Sequence, residues 1–420
     1  MQYICDFHIH SKYSRATSKS ISVESLDKSA EIKGIQVLGT GDFTHPLWLK
    51  ELKEKLESAE PGLFKLKKSN SDVRFILTVE ISNIYSKNNR TRKIHNIIFA
   101  PDFKTVEKIN THLGWVGNLK SDGRPILKLD AKELVKIVLD ISSDCLIVPA
   151  HIWTPWFGLF GSKSGFDSIE ECFEEYSKYI YAIETGLSSD PPMNWRWSAL
   201  DNITLISNSD AHSTGKIGRE ANVLSLNELN YKNIIKAIKD PFSKDCKLLY
   251  TIEFFPEEGK YHWDGHRNCD ISLSPEESKE YNNICPRCGK PLTIGVMNRV
   301  MQLADRPAGG KPTKTIPYKS LIPLKEIIAD VLNVGVDTKQ VDGYYKNLIE
   351  KIGPEFKILI EANKKNIAKN SLLEIAKGII RVREGKIKIK PGYDGEFGKI
   401  TIFGKEEKIK NISRQKVLFP

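Results

Sequence analysis

Short β-branched runs alternate with amphipathic helical stretches through the first 240 residues, and this alternation limits the fold more than any other feature. The runs "YICDFHIH", "IQVLGTGDF", "RFILTVEIS", "IHNIIFA", "CLIVPAH", "IYAIETG", "ITLISNSDAH" and "NVLSL" have strand character. Between many of them lie stretches with helical spacing, such as "SVESLDKSAEIKG", "FKTVEKINTHLG" and "AKELVKIVLD". Strand-helix alternation predicts an α/β fold with a largely parallel sheet or barrel. Polar residues stand at the C-terminal ends of these strands: His8 and His10, Asp42 and His45, Glu80, His151, Glu184, Asp210 and His212. In parallel barrels that end carries the active site.

His8 and His10 flank Ile9 at a spacing of two. On a strand, residues two apart share a face, so both imidazoles reach one ion. Alone, such a pair is also compatible with two hydrogen-bonded strand residues. Its weight comes from company: His45, His95, His151 and His212 also fall at or near strand ends, with Asp42, Glu80 and Asp210. Buried charges are costly unless paired or bound to a cation, so the cluster predicts a multinuclear metal centre. Imidazole and carboxylate donors suit zinc and related divalent ions.

A second constellation lies further on. "GHRNC" places His266 and Cys269 at H-x2-C spacing, and "CPRCGK" places Cys285 and Cys288 at C-x2-C spacing. Four ligands in two pairs predict a closed structural zinc site, with His262 an alternative to His266. The chain has seven cysteines, and this grouping points to metal binding in a reducing compartment rather than to disulfides. No run approaches the length of a membrane span, and the first residues lack the features of a signal peptide, so a cytoplasmic location is expected.

The net charge of +10 is unevenly placed. Residues 311–420 hold 23 Lys and Arg against 13 Asp and Glu, while the rest of the chain has 40 of each sign. A basic terminal segment favours a polyanionic partner, nucleic acid first. Aromatic loops point the same way: Trp153 and Trp156 follow His151, and Arg196 lies within "PPMNWRWS". Aromatics interleaved with Arg and Lys stack unpaired bases. Lys12 and Arg15 stand just after the histidine pair, where they can hold a flanking phosphate. The texture divides the chain into 1–255, a turn-rich cysteine segment at 256–310, and a basic, mainly helical segment at 311–420.

The ligand strings resemble the PHP family of metal-dependent phosphoesterases: His8-Ile9-His10-Ser11, Thr40-Gly41-Asp42-Phe43 with His45, Glu80, His95, His151 of "PAH", and Asp210-Ala211-His212. The resemblance implies a distorted (β/α)7 barrel. It also implies one metal on His8, His10, Glu80 and Asp210, and a second on Glu80, His95 and His151. A third would use His212 with Asp42 or His45. This chain departs from the family where Ser14-Arg15-Ala16 replaces a further histidine, and where Asp42-Phe43 replaces Asp-His.

The strings "DFHIHSKYSRATSKS", "GTGDFTHPLWLKEL", "AIETGLSSDPPMNWR", "SNSDAHS" and "RVMQLADRPAG", with the cysteine module, are similar to the endonuclease Q family. That resemblance runs over residues 1 to about 310 and more loosely beyond. It implies a metal-dependent endodeoxyribonuclease that nicks DNA 5′ of deaminated bases (uracil, hypoxanthine, xanthine) and of abasic sites. Structural zinc, zinc in the active site and Mg²⁺ or Mn²⁺ would be its metals, and Asp210 or Asp42 would orient the attacking water. The rival readings are a small-molecule phosphoesterase of the histidinol phosphatase kind and a non-catalytic DNA-binding scaffold. A sliding clamp or other repair proteins as further partners have no signature in the sequence.

Overall fold

The computed structural model describes residues 1–404. The last part of the basic segment expected at 311–420, residues 405–420, lies outside the described residues.

Seven strands build the barrel: β1 (Gln2–Asp6), β2 (Val37–Gly39), β3 (Arg74–Lys87), β4 (Arg90–Ala100), β5 (Leu146–Pro149), β6 (Ala182–Glu184) and β7 (Thr204–Ile206). β1, β2 and β3 pair in parallel, and so do β6 and β7. β4 runs against both β3 and β5. The reversal follows from a tight turn at Asn88 and Asn89, both at positive φ, a geometry asparagine tolerates well. It is this reversed strand that distorts the (β/α)7 barrel. The ring is joined by Ile152 N donating to Glu184 O (3.2 Å), and closed onto β1 by His10 N donating to Ala211 O (3.0 Å).

All seven strands send apolar side chains inward. Cys5, Val37, Ile76, Phe99, Val148, Ala182 and Ile206 are buried in one cluster with Phe7. Outside, helices form where the sequence supplies a cap and an apolar stripe. Val23–Lys33 starts at a Ser22 capping box and stops at Gly34, whose φ of 85° ends the helix. Ala131–Ile141 is capped by Asp130 and buries Ala131, Leu134, Val135 and Val138, the one-sided spacing expected of a core-facing helix.

Two further strands, β8 (Ala221–Leu226) and β9 (Cys246–Glu253), extend the sheet beyond β1 as an antiparallel pair. Ala221 pairs with Ile252, so Glu220 faces Glu253, and both are buried. Burial pushes the Glu253 carboxyl up to about 7, against hydrogen bonds from Thr185 Oγ1 (3.0 Å) and Ser207 Oγ (3.1 Å). Burial and the charge of Glu253 push Glu220 up as well.

The described residues divide into two compact units. The first comprises residues 1–319 and 391–398, and includes the cysteine segment. The second holds helices Leu324–Leu332, Lys339–Ile352, Lys364–Lys369 and Leu373–Arg383 with a short ribbon of Lys388–Lys390 against Lys399–Thr401. Ile327, Leu348, Ile358, Ile367 and Ile379 fill its core. Buried Glu355 ties it together by accepting from Leu324 N (2.9 Å) and Tyr345 Oη (2.7 Å). No helix among the described residues is long and apolar enough to cross a membrane.

The Glu220–Glu253 pair has a consequence for pH. Both carboxyls bind protons more tightly in the folded chain than in the unfolded one, whose ordinary value is 4.5. Stability is therefore full below that value and falls as pH rises through about 7. Glu253→Gln, which keeps an acceptor for Thr185 and Ser207, is expected to raise the melting temperature at pH 8 and change it little at pH 5. Scanning calorimetry at both pH values checks this, and an equal shift at both would contradict it.

Candidate active site

His8 and His10 leave the end of β1 on one face and are buried. Each has one ring nitrogen engaged from behind. His8 Nδ1 lies 3.0 Å from Glu184 Oε1, and His10 Nδ1 lies 3.0 Å from Asp42 Oδ1. Carboxylates in that position fix the tautomer and leave the Nε2 lone pairs free to ligate. Those Nε2 atoms converge on two more carboxylates. His10 Nε2 lies 3.1 Å from Glu80 Oε2 and 3.0 Å from Asp210 Oδ1; the corresponding distances from His8 Nε2 are 3.5 and 3.6 Å. Yet His8 Nε2, His10 Nε2 and Asp210 Oδ1 are buried without a hydrogen bond. One ligand atom from each of the four residues lies within 4.8 Å of the others. Orphaned polar atoms around a common point are costly, and a divalent cation there would satisfy all of them. The residues fit a metal.

Glu80 serves a second group with its other oxygen. Oε1 lies 2.6 Å from His95 Nδ1 and 3.0 Å from His151 Nε2, and those nitrogens are 3.1 Å apart. The register explains the meeting. Glu80 and Ser82 share a face of β3, and His95 on β4 pairs directly with Ser82. His95 Nε2 contacts Ser82 Oγ (3.1 Å), and His151 Nδ1 contacts Thr154 Oγ1 (3.1 Å), so both rings are oriented from behind. Burial pushes His95 down to about 4, against the pull of Glu80, which leaves a neutral imidazole able to ligate. Burial alone would raise Glu80, but His95, Arg124 and His8 hold its carboxyl well below the usual range. Burial likewise raises Asp210, and His8 and His10 more than offset it.

Asp42, His45 and His212 are not brought together on a third ion. The Asp42 carboxylate is consumed by His10, by Ser11 N and Oγ (both 2.7 Å) and by Ser14 Oγ (2.8 Å). His45 stacks on Tyr13 at 4.2 Å and stands at the N-terminal boundary of the helix Pro46–Lys55, with no capping hydrogen bond from its side chain. His212 packs its ring 4.6 Å from His10 and turns Nδ1 to the Asp210 carbonyl (2.8 Å). Among the described residues none of the three joins a group of converging ligand atoms. Ser14, at the departure from the PHP pattern, works behind the ligands by bonding Asp42 and contacting His10 Nδ1 (3.2 Å).

A cavity of about 460 Å³ opens over the cluster, lined among others by Arg15, His95, Arg124, His151, Trp156 and Asp210. Of the candidates for nucleic-acid contact, Arg15 is exposed and Trp156 is 50% exposed, with Lys93 Nζ 4.6 Å from its ring centre. Lys12 pairs with Glu51 at 2.7 Å. Arg196 is half-buried, and its carbonyl accepts from Asp305 N (3.1 Å) and Arg306 N (2.9 Å). Trp153 corrects the expectation of a rim of aromatics. It is fully buried, donates from Nε1 to Asn194 Oδ1 (2.8 Å) and packs on Phe160, so no base can stack on it.

Glu184 and Arg124 were not among the expected site residues. Glu184 does stand at a strand end, but strand-end position alone does not separate a ligand from a residue that orients one. Arg124 lies in the loop "SDGRP", where no ligand spacing marks it. The string "RVMQLADRPAG" proves to be a strap onto the barrel. Arg299 donates to Phe160 O (2.9 Å) and Phe166 O (3.0 Å), and Arg306 grips both Asp201 oxygens (2.7 and 2.5 Å).

The cysteine segment forms a separate cluster. His266, Cys269, Cys285 and Cys288 bring their ligand atoms within 4.8 Å of one another, and Cys288 Sγ lies 3.5 Å from His266 Nδ1. Gly289, at φ 73°, turns the knuckle and donates to Cys285 O (2.9 Å). His262 is buried apart from this group. Four nitrogen and sulfur donors with no position left open fit a structural zinc.

The chain is 32% identical to the lesion-specific endonuclease PfuEndoQ from Pyrococcus furiosus, over 98% of both chains, with a TM-score of 0.86. The chain belongs to the endonuclease Q family. A second endonuclease Q structure, a complex with a 27-mer duplex carrying an abasic lesion at the active site, is matched at a TM-score of 0.84 and 32% identity, over 98% of this chain and 99% of that one. The uncharacterized protein YqxK of Bacillus subtilis is 30% identical over 89% of this chain and 91% of its own. The uncharacterized protein MJ0043 of Methanocaldococcus jannaschii is 35% identical over 74% of this chain, which spans only 39% of that longer protein. The family model of the MJ0043 C-terminal domain matches residues 323–386.

The cysteine cluster makes a direct prediction. Cys288→Ser is expected to lower bound zinc by one equivalent per chain, read by elemental analysis, and to speed proteolysis within residues 256–295. Unchanged zinc content would remove Cys288 from the ligand set.

Proposed function

We propose that the chain is a metal-dependent endonuclease that hydrolyses the DNA phosphodiester 5′ of an abasic site or a deaminated base such as uracil, hypoxanthine or xanthine. The observation that carries this reading is the Glu80-centred cluster, set in a chain that matches a lesion-specific endonuclease over nearly its whole length. The abasic duplex held by a second such enzyme supports the same substrate.

His8, His10, Glu80 and Asp210 would hold one cation, and Glu80, His95 and His151 another. Mg²⁺, Mn²⁺ or Zn²⁺ suits these donors. When bound, such ions supply charge neutralisation at the phosphate and lower the pKa of water. The protein's own groups prepare that chemistry. Glu184 and Asp42 keep the Nδ1 protons of His8 and His10 in place, while Ser82 and Thr154 orient His95 and His151. The Asp210 side chain is 26% exposed, whereas Glu80 is sealed. Asp210 is therefore the ligand that meets solvent, placed to orient the attacking water. Attack in line with the 3′ oxygen of the preceding nucleotide would leave a 3′-hydroxyl and a 5′-phosphate. The cysteine module and the basic second unit would grip the duplex through its phosphates.

The test uses a labelled duplex with one deoxyuridine or one abasic site, in Mn²⁺ or Mg²⁺, beside an undamaged control. The expected result is a nick on the 5′ side of the lesion, none in the control, and at least a hundredfold loss in Asp210→Ala. Turnover of p-nitrophenyl phosphate without lesion-dependent nicking would favour a small-molecule phosphoesterase. Binding without cleavage would leave only a scaffold.

A further inference from the structure

The loop "KSDGRP", residues 120–125, is pinned to the loop that follows the histidine pair. Gly123 N donates to Tyr13 O (3.1 Å). A Cβ at position 123 would lie 2.2 Å from Asp42 Oδ2 and 2.4 Å from Ser14 Oγ, so only glycine lets the chain pass. Asp122, buried at 4% exposure, then fixes the residues on either side. Its Oδ1 accepts from Arg124 N (3.1 Å) and Arg15 N (3.3 Å), and its Oδ2 faces Arg15 Nε (3.2 Å). One carboxylate therefore sets the position of two arginines from distant parts of the chain. Both line the cavity over the metal ligands.

Their depths differ. The Arg124 side chain is 22% exposed and gives one N–H to Glu80 Oε2 at 3.0 Å, beside both ligand groups. Its Nε and Nη2 donate to no protein group among the described residues. The Arg15 side chain is 75% exposed at the rim. A guanidinium offers several donors in a fixed fork that matches phosphate oxygens, and it cannot be deprotonated in a protein. Asp122 pairs with Arg15 and Glu80 with Arg124, and each ion pair engages only one nitrogen of its guanidinium.

We propose that Arg124 and Arg15 form a phosphodiester-binding site. Arg124 contacts a non-bridging oxygen of the scissile phosphate, Arg15 holds the neighbouring phosphate, and Asp122 is the positioning residue for both. The inference rests on the phosphodiester-hydrolysis reading above. It adds a protein cation to the groups that meet the charge developing at phosphorus, where preorganised donors have their largest effect.

The test compares wild-type, Arg124→Ala and Arg124→Lys full-length chains, with metal added, on an abasic duplex whose scissile phosphate is normal or an Rp or Sp phosphorothioate. Arg124→Ala is expected to cut the normal substrate about a hundredfold more slowly with unchanged metal content. The rate penalty of one phosphorothioate diastereomer should shrink in this variant, because the contact it disturbs is already gone. Added ethylguanidine should restore part of the rate, and Arg124→Lys should remain impaired for want of the fork. Asp122→Asn should raise KM more than it lowers kcat. If the wild type nicks but Arg124→Ala keeps its rate and both diastereomer penalties, the phosphate site is wrong. Loss of metal in Arg124→Ala, with Arg124→Lys fully active, would also overturn it, in favour of a role confined to Glu80. Failure of the wild type to nick the lesion would instead overturn the hydrolysis reading itself.

Discussion

Everything at the open end of the barrel is arranged around one buried carboxylate. Glu80 is 1% exposed, and four imidazoles and a guanidinium approach its two oxygens. An ionised carboxylate in such a place is stable only when positive charge surrounds it. The strand reversal at Asn88 and Asn89 is what makes the surroundings available, because it turns β4 back along β3 and sets His95 across from Ser82. A purely parallel barrel would bring its next strand end to this point only after a crossover helix. The distortion is thus the means by which Glu80 acquires two different sides, one toward His8 and His10 and the other toward His95 and His151.

The groups behind the ligands are as specific as the ligands. Glu184 lies behind His8, Asp42 behind His10, Ser82 behind His95 and Thr154 behind His151. Asp42 is itself held by Ser11 and Ser14, and Gly123 passes so close that a methyl group would collide with it. The loop carrying Asp122 and Arg124 is therefore part of the same construction as the first histidine pair, though more than a hundred residues separate them in the chain.

Much of this arrangement is legible in the sequence. Strand-helix alternation pointed to the α/β barrel, and the strand-end rule collected His8, His10, Glu80, His95, His151 and Asp210, which the fold brings into two overlapping groups. The paired H-x2-C and C-x2-C spacings likewise named four residues that converge. The rest was hidden for physical reasons. Asp42 has the chemistry of a ligand, and only its hydrogen bonds show that its lone pairs are spent on His10 and two serines. Trp153 and Trp156 are three residues apart in one loop, yet one is core and the other rim, a difference decided by the Asn194 acceptor and by Phe160. Arg124 reaches Glu80 through a loop contact that no local pattern encodes.

The central claim is that this end of the barrel would hold two cations, one by His8, His10, Glu80 and Asp210 and the other by Glu80, His95 and His151. Crystals grown with Mn²⁺ and measured at the manganese absorption edge test it most directly. The expected result is two anomalous peaks, one beside His8, His10 and Asp210 and the other beside His95 and His151. A single peak that leaves Glu80 bound to Arg124 alone, or no peak at this end of the barrel, would contradict it.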